Sequence, residues 1–168
     1  MANRQFITFY LDQCLFGIDI LLVREINRNL DITPVDLAPE YVRGLLNLRG
    51  QIVTVVDLGV RLELGARNIQ SSSSCIILKT NTEIDRARSR EEIEDTTSQD
   101  LVGLLVDRIG DVVSVDSSMI EPPPTHTHGV SGHFLSGVIK LEKQLLVTLK
   151  TSKILSLEEE AALAHEKL

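Results

Sequence analysis

Three histidines, His126, His128 and His133, fall within one short stretch. A His-x-His pair with a third imidazole nearby is a spacing that can hold a transition metal. Three consecutive prolines, Pro122, Pro123 and Pro124, precede it and forbid regular structure there. No carboxylate or thiol stands close enough in sequence to complete a ligand shell, so the expectation is no metal and no cofactor. Cys14 and Cys75 form neither a CxxC pair nor a zinc spacing and read as two reduced, buried thiols. Asp57, Asp107, Asp111 and Asp116 are the carboxylates nearest strand ends, where turn solvation accounts for them better than acid–base work. The sequence contains no GxSxG, P-loop, GxGxxG after a strand, or HExxH, and no catalytic residue is assigned.

The side chain with most to offer is Arg49. It stands with Gly50 between two β-rich runs in residues 44–58, GLLNLRGQIVTVVDL, and the glycine supplies the positive φ of a tight hairpin. A guanidinium at a hairpin tip can make paired hydrogen bonds to a carboxylate or to backbone carbonyls of a partner. A solvated turn residue is the plain alternative.

Composition narrows what such a tip can serve. The chain has 168 residues, 43% of them hydrophobic, enough for one domain or two very small intertwined ones. Aromatics are only 4%, with no Trp, so Leu, Ile and Val must fill the core. Few stacking platforms and a formal net charge of −7 argue against nucleic acid. The N-terminus lacks the order of a signal peptide, and the apolar stretch 14–23 is interrupted by Asp19 and falls short of the ~20 residues that span a bilayer. A cytoplasmic protein with no membrane insertion is expected.

The elements that must position the tip are mostly strands. Residues 5–11 read as a strand, 15–26 as a longer bent one, and 75–79, 101–106, 111–115, 134–141 and 144–149 as further strands. A short helix follows Leu58, and four serines, residues 71–74, form a linker. Residues 81–100 carry seven acidic and three basic side chains and almost no apolar ones, which predicts a solvated loop. Ser156 followed by Glu159 predicts a capping box opening a C-terminal helix through Leu168.

The two halves resemble each other in order. Residues 16–20 align with 102–106, 23–26 with 109–112, and 44–48 with 137–141; Gln51 then matches Gln144. Aligned glycines open strands where the backbone bends or a neighbour approaches closely. Short strands at this spacing predict small barrels, and a groove between two of them is a natural dock for a partner helix.

Residues 42–58 resemble the signature of CheW-type chemotaxis adaptors: a Gly, a short apolar strand, Asn47-Leu48-Arg49-Gly50, then a β-rich strand ending in Asp57-Leu58. Phe16-Gly17-Ile18, Val23-Arg24-Glu25-Ile26, residues 103–107 and Phe134-Leu135-Ser136-Gly137 match in order, so the likeness covers nearly the whole chain. Thr54 stands where the family usually has Pro, and Gly59 where it usually has Arg. The resemblance implies a mostly β fold of two SH3-like five-stranded barrels side by side with a short C-terminal helix. It divides the single domain into a first barrel over about residues 12–70 and a second over 3–11 plus 72–150. The insertion at 81–100 and a helix at 151–168 complete it.

The resemblance also implies a non-catalytic adaptor that couples the cytoplasmic tip of methyl-accepting chemoreceptors to the regulatory domain of a CheA-type histidine kinase. Other CheW-like proteins of the same array are further partners. By the same match Ile20, Val23 and Glu25 lie on the receptor-facing side, Asn47 shapes the hairpin and Arg49 is the leading contact. Core packing is the alternative for Ile20 and Val23. An auxiliary chemosensory pathway (motility, biofilm or development) is an alternative assignment. A small-ligand-binding barrel and an enzyme rank below both.

Overall fold

The computed structural model describes residues 3–87 and 95–156. Among the described residues twelve strands follow in order: β1 Asn3–Leu11, β2 Cys14–Asp19, β3 Val23–Asn27, β4 Val42–Leu48, β5 Gln51–Asp57, β6 Ser74–Leu78, β7 Val102–Val106, β8 Arg108–Asp116, β9 His126–Thr127, β10 Val130–Ser131, β11 Leu135–Lys140 and β12 Leu145–Leu149. Three short helices, α1 Leu58–Arg61, α2 Asn81–Arg86 and α3 Thr151–Ile154, punctuate them. The bend expected within residues 15–26 is a 3-10 turn, Ile20–Leu22, whose first free N–H groups are served by Asp19 accepting from Leu21 N.

Ten strands make two five-stranded sheets of the same plan. One runs β4-β5-β7-β6-β3 and the other β11-β12-β2-β1-β8. In each, the first and second strands are antiparallel, the second and third parallel, and the rest antiparallel. The likeness holds to the residue. Val55 lies opposite Gly44 on one side and Gly103 on the other; Thr148 lies opposite Gly137 and Gly17. A bulge interrupts the register between Val42 and Gly44 and again between Leu135 and Gly137. The internal duplication is therefore structural.

The proposed boundaries of the two units are not those of the sheets. β2 belongs with β1, β8, β11 and β12, whereas β6 and β7 belong with β3, β4 and β5. The chain crosses from one sheet to the other after β2 and again after β7, so each sequence repeat contributes to both sheets and a cut near residue 70 separates neither. Nor does hydrogen bonding close either sheet into a complete barrel: β3 and β4 end one strand order, β8 and β11 the other.

Packing follows from strand alternation. One face of each sheet contributes to a shared core that includes Phe9, Phe16 and Ile18 from one sheet and Val56, Ile76 and Leu104 from the other. The opposite faces fill two smaller cores. One holds Leu46, Val53, Cys75, Ile77 and Leu105; the other holds Phe6, Leu15, Ile139 and Leu146. Strands buried on both faces read as unbroken apolar runs, as in β6 and β7. The two facing sheets bury their apolar surface against each other in this shared core.

A further expectation is corrected. The acidic insertion is not merely a solvated loop. Its α2 has a complete capping box between Thr80 and Glu83, and Ile84 lies fully buried in the shared core. One apolar anchor on a well-capped helix suffices, and average composition conceals it. At the other end a short helix, α3, covers Thr151–Ile154 inside the expected span 151–168, and the Ser156 hydroxyl donates to Lys153 O at 2.9 Å. Glu159 and the rest of the expected helix lie outside the described residues.

Candidate functional site

The β4–β5 hairpin turns in two residues, with Leu48 opposite Gln51. Arg49 has φ 51° and Gly50 φ 85°, so both central residues are left-handed, as the turn that matches strand twist requires. Gly takes this conformation without strain, but an arginine rarely does. Asn47 helps to hold it there: its Oδ1 accepts from Gly50 N at 2.9 Å.

From this tip the Arg49 side chain reaches across to β3, the opposite end of its sheet. Nη2–H donates to Glu25 Oε2 at 2.5 Å, with the Arg49 side chain 69% exposed. That hydrogen bond and the carboxylate's charge raise the guanidinium's pKa above its already high ordinary value, so it stays cationic at any physiological pH. The pair links the two ends of a strand order that hydrogen bonds leave open. Only one of the guanidinium's five N–H donors is used in this bond; the rest of the fork faces solvent.

Of the expected residues, the structure brings Arg49, Glu25 and Asn47 to one hairpin and its facing strand. Ile20 and Val23 lie half-buried against the shared core, one on the 3-10 turn and one at the start of β3. Two exposed apolar residues escaped the sequence reading. Ile26, beside Glu25, is 36% exposed, and Ile52, opposite Asn47, is 58% exposed. Alternation carried the signal, since Ile52 is out of phase with buried Val53 and Val55.

Several of the remaining chemistry-bearing residues have structural partners. Buried Asp57 caps α1 through Val60 N and also accepts from Arg43 Nη1 at 3.0 Å and Arg67 N at 2.9 Å. Arg67 is itself buried and donates to Asp107 Oδ2 at 3.0 Å. Arg67 and the Gly65 carbonyl occupy the space that a Cβ at Gly59 would fill, so no larger side chain fits there unless they move. A cleft of about 260 Å³ opens here among Asp12, Arg67, Asn68, Ser72, Asp107 and Arg108. Asp116 caps the 3-10 turn after β8, and hydrogen bonds from the Ser118 N–H and hydroxyl lower its pKa. Asp111 is exposed on β8.

His128 Nε2–H lies 3.1 Å from the Leu145 carbonyl, and its ring meets Phe16 edge-on. His133 meets Phe134 edge-on, and His126 is exposed. Among the described residues, His, Cys, Asp and Glu form no group of three or more placed to hold a metal ion. Cys75 is buried with its thiol pKa pushed up to about 12, and Cys14 is half-exposed. Among the described residues no helix is long and apolar enough to cross a membrane.

Comparison with known proteins agrees with this architecture. A chemotaxis protein CheW of Treponema pallidum is 30% identical over 165 residues, covering 96% of this chain and 87% of that one. The CheW of Rhizobium meliloti is 29% identical over 161 residues, covering 96% and 93%. The crystal structure of the scaffolding protein TtCheW from Thermoanaerobacter tengcongensis superposes with a TM-score of 0.74 at 28% identity, over 92% of this chain and 88% of that one. The family described as the CheW-like domain matches residues 5–159, and the chain belongs to it.

Proposed function

We propose that this protein is a non-catalytic cytoplasmic adaptor, which holds the cytoplasmic tip of a chemoreceptor against the regulatory domain of a CheA-type histidine kinase. Other CheW-like proteins of the same array join the assembly. Family membership, chemotaxis relatives along nearly the whole chain and a scaffolding protein of the same fold support the adaptor reading.

The observation that carries the site is Arg49. A bulky residue held left-handed at an exposed tip, with its guanidinium oriented by Glu25 and most donors unspent, is prepared to grip a partner's carboxylate or carbonyls. Ile26 and Ile52 add apolar surface around the charged pair, suited to the apolar stripe of a helical receptor tip. Ile20 and Val23, half-buried beneath, set the position of β3 and hence of Glu25. Arg49→Glu is expected to abolish receptor pull-down while moving the melting temperature by less than ~2 °C, because an exposed pair contributes little to folding. An unfolded variant, or one that still binds, rejects this site.

A further inference from the structure

The duplication exposes a missing part. The register that pairs Gly44 with Gly137 also pairs α1 with α3, since each follows the second strand of its sheet. α1 starts from Asp57, whose side chain accepts from Val60 N. The corresponding residue before α3 is Lys150, which makes no side-chain cap. The backbones agree, with φ −73°, ψ 103° at Asp57 and φ −96°, ψ 101° at Lys150. Only the side-chain cap differs.

The acidic insertion supplies a replacement. Asp95 Oδ2 accepts from Thr151 N at 2.7 Å, and Asp95 Oδ1 accepts from Ser152 N at 3.2 Å. The Thr151 hydroxyl lies 2.8 Å from the same carboxylate and 2.7 Å from Thr96 O. Thr151 is fully buried and Asp95 and Ser152 half-buried, so leaving the Thr151 groups unpaired is costly. At the far end of α3, Arg61 donates to the Lys153 and Ile154 carbonyls, so the helix has an acid at its start and a base at its finish.

The insertion is anchored on the other sheet as well. Thr97 N donates to Asn81 Oδ1 at 2.8 Å, and Asn81 N to Ser98 O at 2.9 Å, which stitches its two ends together. Glu83 of α2 pairs with Arg24 at 3.5 Å, on the strand that carries Glu25. We infer that the described parts of the acidic insertion, residues 81–87 and 95–98, form an inter-sheet tie: they join the Arg49–Glu25 sheet to α3 of the other half, with Asp95 standing in for the N-cap that Lys150 does not supply. This role does not depend on which partner the adaptor binds.

The test is amide hydrogen exchange on the full chain. Asp95→Ala should speed exchange at Thr151 and Ser152 about tenfold, the size of a lost cap read as local opening. Adding Lys150→Asp should restore protection at Ser152 to within about threefold and slow Lys153, whose N–H corresponds to the Val60 N–H that Asp57 caps, while Thr151 N, out of reach of that side chain, stays fast. Lys150→Ala in the same background should not. Unchanged exchange in Asp95→Ala, or equal rescue by Lys150→Ala, overturns the inference. Should Asp95→Ala fail to fold, folding of the Asp95→Ala, Lys150→Asp double variant supports it and continued unfolding rejects it.

Discussion

Arg49 and Glu25 occupy the same places in one half that Glu142 and Asp111 occupy in the other. The β4–β5 turn corresponds to the turn between β11 and β12, and β3 corresponds to β8. The first seam carries an ion pair of opposite charges; the second presents two acids, both exposed. Beneath them the scaffolds agree in strand order, bulge and glycine position. At these two seams what differs is side chains that face outward. The repeat thus keeps what packing demands and changes what a partner would touch, which is how one fold acquires two unlike surfaces.

The heaviest blow to the comparison should fall on its axis. Arg61 lies between corresponding rings, 5.3 Å from Tyr41 and 5.0 Å from Phe134 at the centroids, and also serves the α3 carbonyls. Arg61→Met should lower stability by about 3 kcal/mol in urea unfolding, since buried carbonyls and two faces lose their cation.

The paired glycines come next. A Cβ at Gly44 would collide with the Thr33 carbonyl oxygen, at φ 149°, whereas one at Gly137 would meet the Ile120 side chain at 2.6 Å. Backbone cannot give way as a side chain can, so Gly44→Ala should cost about 2–3 kcal/mol and Gly137→Ala about half that. Equal costs would show that the halves are packed more alike than these contacts imply.

Glu142→Arg is the smallest and sharpens the comparison from the other side. It places a guanidinium where Arg49 stands and gives Asp111 a partner, and thermal unfolding should shift upward by no more than ~2 °C. A large shift would mean that such a pair is a structural clasp in either half.

Much of this was legible in the residues. The glycine-led runs at 44–48 and 137–141, with Gln51 and Gln144 behind them, pointed to the duplication and to the hairpin that carries Arg49. The assignment of strands to sheets was not legible, because β2 and β7 are apolar on both faces and period alone cannot say which neighbour they join. Ile84 and Asp95 were hidden inside a segment whose average composition is polar, and single anchors do not change an average. Ile52 sat within a continuous β-branched run, where its outward phase is visible only once Val53 and Val55 are known to face inward.

The central claim is that Arg49 is presented to a partner and not merely paired with Glu25. Calorimetric titration of a chemoreceptor tip with the charge-swapped variant, Arg49→Glu with Glu25→Arg, separates the two roles. The swap can rebuild the ion pair in reverse, so the fold and melting temperature should be retained. Receptor affinity should nevertheless stay at least about a hundredfold below that of the unaltered chain, as for the loss of a charge-assisted contact. Affinity restored to within about threefold would show instead that the clasp alone matters, and would contradict the account.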